Sequence, residues 1–194
     1  MRIGGYVPLS LSDYPGQLAA VVFTQGCNWR CPWCHNPALV HPALFTPPIP
    51  VETVLARLAA RRGRLDALVI TGGEPTLHDG LPGFIGRVRD LGYKIKLDTN
   101  GSRPAVLRAL LERGLLDFVA VDLKAPWDRY PEAAGLPALD TAPLRETLRL
   151  LRETRTPHHL RTTLWPGLSD ADKPALAEAA AGSPHHYQPF RPPA

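Results

Sequence analysis

Apolar and polar positions along the chain fall into two alternating rhythms. Short runs of β-branched and other apolar residues at 19–24, 67–71, 94–99, 118–122, 159–164 and 186–190 read as six strands. Between them apolar residues return every three or four positions, the mark of an amphipathic helix. Val51, Val54, Leu55, Leu58 and Ala59 share one face before Gly63; Leu81, Phe84, Ile85 and Val88 repeat the spacing before Gly92. Pro104 suits a first helical turn, and Val106, Leu107, Leu110 and Leu111 follow it before Gly114. Leu144, Leu148 and Leu151 mark a fourth helix, and Leu176, Ala179 and Ala180 a weaker fifth.

A strand followed by a helix, repeated along the chain, implies parallel strands joined by right-handed crossovers and hence an α/β fold. The sheet is then either open and doubly wound or curved like part of a barrel. A complete eight-unit barrel takes about 250 residues. Six units in 194 residues would leave such a ring incomplete, a partial (β/α)6 barrel of TIM type with one open side. No linker, repeat or low-complexity tract interrupts the pattern, so residues 1–194 read as one domain.

Composition narrows the class. Hydrophobic residues make up 44% of the chain, enough for a core, yet no apolar run approaches the ~18 residues of a membrane helix. The opening Met-Arg-Ile-Gly-Gly-Tyr lacks a hydrophobic signal segment, so a cytoplasmic protein is expected. The net charge of +4 comes from 22 basic and 18 acidic residues that are interleaved, which reads as a solvated surface and not a nucleic-acid footprint. Three cysteines, crowded within eight positions, form no closed disulfide framework and suggest thiolates bound to something.

Those cysteines are Cys27, Cys31 and Cys34, spaced C-x3-C-x2-C on the loop leaving the first predicted strand. Thiolates this close on one loop suit an iron–sulfur cluster or a structural zinc ion. Zinc would need a fourth ligand; His35 follows Cys34 too closely, and His41 sits among prolines. On a [4Fe-4S] cluster three thiolates occupy three irons and leave one iron open for a small molecule. The other chemistry-bearing motifs also lie at strand ends. Gly72-Gly73-Glu74-Pro75 follows the second predicted strand, Asp98-Thr99-Asn100-Gly101 ends the third, and Asp122-Leu123-Lys124 the fourth, with alternation placing Asp122 and Lys124 on one side of the sheet. Arg161 begins an Arg-Thr-Thr-Leu-Trp-Pro-Gly run on the fifth, and His185-His186-Tyr187-Gln188 lies at the sixth. The C-terminal ends of parallel strands are where such sheets place their active sites.

The cysteine spacing, with aromatic Trp33 just before Cys34, resembles the signature of the radical S-adenosylmethionine (SAM) superfamily. The resemblance implies a [4Fe-4S] cluster on Cys27, Cys31 and Cys34, with SAM chelated to the open iron. Reductive cleavage then yields a 5′-deoxyadenosyl radical, so no protein residue need act as the catalytic group. It further implies that Gly72, Gly73 and Glu74 receive the methionyl amino group and that Trp33 lies near the adenine. The Asp-Thr-Asn-Gly, Asp-Leu-Lys and Arg161 segments are similar to those of glycyl-radical-enzyme activases, one branch of the superfamily. There Asp122 and Lys124 would hold the cofactor's polar end, Arg161 would contact cofactor or substrate, and Asp98 and Thr99, with Asp122, would lie near a monovalent cation. The closing strand is similar to the tail of proteins that activate anaerobic ribonucleoside-triphosphate reductase. The implied partners are a glycyl-radical enzyme of that kind and a flavodoxin- or ferredoxin-type electron donor. Two alternatives stay open: a radical enzyme acting on a small molecule or another peptide, and a zinc-bearing nucleic-acid-binding module.

Overall fold

The computed structural model describes residues 1–192 of the chain. Seven strands form one sheet: β1 (Ile3–Ser10), β2 (Ala19–Thr24), β3 (Ala67–Gly72), β4 (Lys94–Thr99), β5 (Phe118–Asp122), β6 (His158–Leu164) and β7 (His185–Pro189). Their spatial order is their chain order; β1 pairs antiparallel with β2, and every later neighbour is parallel. An unreversed order decides between the two architectures the sequence left open. Each right-handed crossover steps the same way, so the helices collect on one face and the twisted sheet curls, as in a partial barrel.

The helices are α1 (Val51–Ala59), α2 (Leu81–Asp90), α3 (Pro104–Glu112), α4 (Tyr130–Ala134), α5 (Ala142–Glu153) and α6 (Lys173–Ala180). All five predicted helices are present. Their apolar stripes, such as Leu81, Phe84, Ile85 and Val88 of α2, are buried against Ala20, Val22, Leu68, Ile70, Ile95, Leu97, Val119 and Val121 of the sheet. The opposite, inner face carries the alternate residues. Near the start of the strands these are apolar, with Ala19, Val21, Ala67 and Val69 packed beneath Tyr14, Phe23 and Phe118. Toward the strands' C-terminal ends the same face turns polar, through Lys96, Asp98, Asp122 and Arg161.

Two elements escape the periodicity argument. β1 contains Gly4, Gly5 and Pro8, has register irregularities against β2, and leaves Val7 and Leu9 exposed, so no clean alternation marks it. α4 spans five residues, too few to show a helical period, and is ended by Gly135 in the left-handed conformation.

Candidate active site

The loop after β2 carries the cysteines and is fastened at both ends and in the middle. Gly26 N donates to Leu39 O at 2.7 Å, and Arg30 N to Ala134 O of α4 at 2.7 Å. The Arg30 guanidinium donates to the carbonyls of Cys27 (2.6 Å) and Trp29 (2.8 Å), curling the loop on itself. Asn28 donates to Ser102 Oγ at 2.9 Å and accepts from the Asn100 amide at 2.9 Å, which ties the loop to the end of β4. Trp29 is buried edge-on against Tyr130.

Cys27, Cys31 and Cys34 are free, partly buried, and open on one cavity of about 310 Å³ at the C-terminal ends of the strands. Burial pushes the Cys27 thiol up to about 11; it also raises Cys31, against the pull of the Lys124 ammonium. Both are therefore thiols at neutral pH until a metal's positive charge stabilises the thiolate. Among the described residues no three His, Cys, Asp or Glu side chains are placed to hold one metal ion together. A cubane offers each thiolate its own iron, and this donor set of three free thiols beside an open cavity fits it.

The same cavity is lined by Trp33, Gly72, Gly73, Asp98, Thr99, Asp122, Lys124 and Arg161, which brings together nearly all the residues that the sequence singled out. Gly72 has φ +111°, and a Cβ there would lie 2.3 Å from Thr24 N; a Cβ on Gly73 would lie 2.1 Å from Gly26 O. Only glycines let this turn reach the cysteine loop, to which Glu74 N also donates through Gly26 O at 2.8 Å.

Glu74, expected with Gly72 and Gly73 to receive the methionyl amino group, is fully buried and does not line the cavity. Its Oε1 accepts from Thr76 N (3.0 Å), Thr76 Oγ1 (2.5 Å) and Thr99 Oγ1 (2.8 Å), and its Oε2 from Asn100 N (2.7 Å). Burial raises its pKa and these four donors oppose the rise. In this structure the carboxylate joins the Gly-Gly turn to the end of β4, beneath the cavity floor.

One continuous charge network runs from β4 to β6 and gives the cavity Asp98, Asp122, Lys124 and Arg161. Arg161 donates to Asp122 Oδ1 through Nε (3.1 Å) and Nη2 (2.9 Å), and to Asp98 Oδ2 through Nη1 (2.9 Å). Lys124 Nζ donates to Asp122 Oδ2 at 3.2 Å, and Lys96 Nζ to Asp98 Oδ1. Burial alone would raise the Asp122 pKa, but the Lys124 and Arg161 charges outweigh it and hold this carboxyl well below the usual range. Three cations share two carboxylates, a surplus of one positive charge. Beneath them His159 packs between Phe118 and His186, and burial with the Lys96 and Arg161 charges pushes its pKa down to about 4.

Trp33 is held more firmly than a loop aromatic need be. Its indole stacks on Trp165 at 5.9 Å with 4° between planes, its Nε1 donates to Ala133 O at 3.0 Å, and Lys124 Nζ stands 4.9 Å from its ring centre. Trp165 in turn donates to Lys124 O at 3.0 Å. The sequence pattern assigns no role to Trp165, Lys96, Asn28 or Asn100. For Lys96 the Lys-x-Asp spacing on a strand is the available signal.

Residues 21–180 match the family model described as the radical SAM superfamily. The chain belongs to the radical SAM superfamily. A Methanocaldococcus jannaschii protein provisionally named as a glycyl-radical enzyme activating enzyme, MJ1227, is 40% identical over 133 residues, covering 67% of this chain and 53% of that protein. A Thermococcus kodakarensis protein provisionally named GTP 3′,8-cyclase is 30% identical over 167 residues, covering 83% of this chain and 52% of that protein. The chain thus spans about half the length of these curated relatives. Streptococcus suis SuiB bound to S-adenosylmethionine shares the fold, with a TM-score of 0.70 at 13% identity over 88% of this chain and 40% of SuiB. This radical SAM enzyme therefore has the partial-barrel fold of the superfamily, and its family implies a [4Fe-4S] cluster and SAM. Among the described residues no helix is long and apolar enough to cross a membrane.

Proposed function

We propose that residues 1–194 act as one radical SAM core that installs a glycyl radical on a partner enzyme, of the anaerobic ribonucleoside-triphosphate reductase type. The observation that carries this reading is the 40% identity over 133 residues to the named activating enzyme. The cavity's open flank supports it. A second cavity of about 390 Å³ adjoins the first, shares Asp13, Trp33, His35, Thr163 and Gln188 with it, and opens beside β7 and Phe190. That shape suits a backbone segment entering from the side.

The residues take these parts. Cys27, Cys31 and Cys34 would hold the cluster, and the Gly72–Gly73 backbone would receive the methionyl ammonium group. Asp122, Lys124 and Arg161 would hold the polar end of SAM, with Trp33 near the adenine. A cluster and SAM held there, with an electron from a flavodoxin- or ferredoxin-type donor, would supply the chemistry of hydrogen-atom abstraction. The protein's own work is therefore positional: it fixes donors, excludes water with the Trp33–Trp165 stack, and moves no proton. Glu74 acts one layer back, by fixing the Gly-Gly turn.

A second reading, a purine nucleotide as the substrate, is favoured by the cyclase relative's longer span of this chain. One experiment separates the two. Anaerobically reconstituted protein, SAM and reductant are incubated with anaerobic ribonucleoside-triphosphate reductase, or with GTP. An organic-radical electron paramagnetic resonance signal on the reductase, lost with Cys31→Ala together with bound iron, is expected. GTP turnover without that signal would establish the second reading.

A further inference from the structure

We propose that Lys96 is a resident counter-ion that takes the place of a soluble monovalent metal ion at Asp98, so that cofactor binding in this protein is indifferent to the monovalent salt. The inference goes beyond the activase reading, because it concerns the cofactor wall whichever molecule is the substrate.

The residues expected to hold such an ion are Asp98, Thr99 and Asp122, and every side-chain oxygen they offer is already engaged. The two Asp98 oxygens take Lys96 and Arg161, and the two Asp122 oxygens take Arg161 and Lys124. Thr99 Oγ1 donates to Glu74 Oε1 at 2.8 Å and accepts from Gly101 N at 3.1 Å. A sodium or potassium ion needs several oxygen ligands at once. Here it would have to displace a fixed ammonium or guanidinium group and then sit beside it, with little water to screen the repulsion.

Lys96 is built for the role. Its side chain is 1% exposed, and strand alternation puts it two residues before Asp98 on the inner face of β4, between Val69 of β3 and Phe118 of β5. A lysine that deep in a sheet is tolerated only when paired. It does not line the cavity, so it touches neither cluster nor cofactor directly. It acts through Asp98 and Arg161, as a positioning residue. Removing it would leave two cations against two carboxylates and free one Asp98 oxygen for an ion from solution.

The test reads the site directly. Crystals of the anaerobically reconstituted wild type, transferred from potassium to rubidium chloride, should show no rubidium anomalous peak against Asp98 or Asp122; a peak there overturns the proposal. SAM affinity of the wild type, measured by calorimetry, should agree within two-fold between potassium and tetramethylammonium chloride. A loss of ten-fold or more in the bulky cation overturns it. Lys96→Ala should acquire that ten-fold dependence on potassium, and a folded variant as indifferent as the wild type also overturns it. The rubidium measurement requires neither partner nor turnover, so it stands or falls separately from the activase reading.

Discussion

Asp122 shows how neighbouring charges set the behaviour of a single residue. Its pKa is depressed, so its contribution to stability is full above the unfolded value of 3.8 and is lost as pH falls from there through the native value. Glu74 works in the opposite sense: its raised pKa gives stability that is full below the unfolded value of 4.5 and is lost as pH rises through the native one. The difference between the wild-type and Asp122→Asn stability curves isolates the first effect. We expect Asp122→Asn to cost about 2 kcal/mol at pH 7, below the 3–5 of a fully buried pair because part of Asp122 meets solvent. The gap between the two curves should shrink below pH 4; urea titrations across pH 3–8 measure both. A gap that widens on acidification would contradict the charge assignment.

At the scale of elements, the shortest helix controls the most reactive loop. α4 presents Ala134 O to Arg30 N, and the turn at Gly135 packs so closely that a Cβ would lie 2.0 Å from Arg30 O. Its φ of +65° adds roughly 1–2 kcal/mol of backbone strain for any L side chain. Gly135→Ala must therefore push the cysteine loop outward. The expected outcome is a melting temperature lowered by about 2–8 °C, with less iron and sulfide retained per chain after reconstitution. Full iron content in the variant would mean that the clasp is dispensable. The 3-10 turn at Pro75–Leu77 does similar work on the other side, where Glu74 caps Thr76 and holds β3 to β4.

For the whole molecule, the order of the strands decides where the chemistry can reach. A sheet that runs β1 to β7 without reversal has one inner face, and β7, the edge nearest the cavity, is mostly exposed. Gln188 stands at the junction of the two cavities and donates to Thr163 Oγ1 at 2.9 Å. Gln188→Trp should narrow that junction while leaving fold and bound iron intact. Radical formation on the protein partner should drop at least ten-fold, as measured by electron paramagnetic resonance against the wild type. An undiminished yield would show that the partner enters elsewhere.

The amino-acid sequence by itself determined the strand–helix alternation, because period-2 and period-3.6 patterns are local and the parallel strands are buried. It also determined the cysteine trio and the strand-end motifs, since their spacing survives without any knowledge of the fold. Short or half-exposed elements such as β1 and α4 left no such record. What only the tertiary structure decided was pairing across distance: that Glu74 would be spent on Thr76, Thr99 and Asn100, that Trp165 would back Trp33, and that Lys96 would reach Asp98 before any ion from solution. Those outcomes depend on which side chains the curled sheet brings together on its inner face, and a partner far along the chain leaves no periodic mark to read.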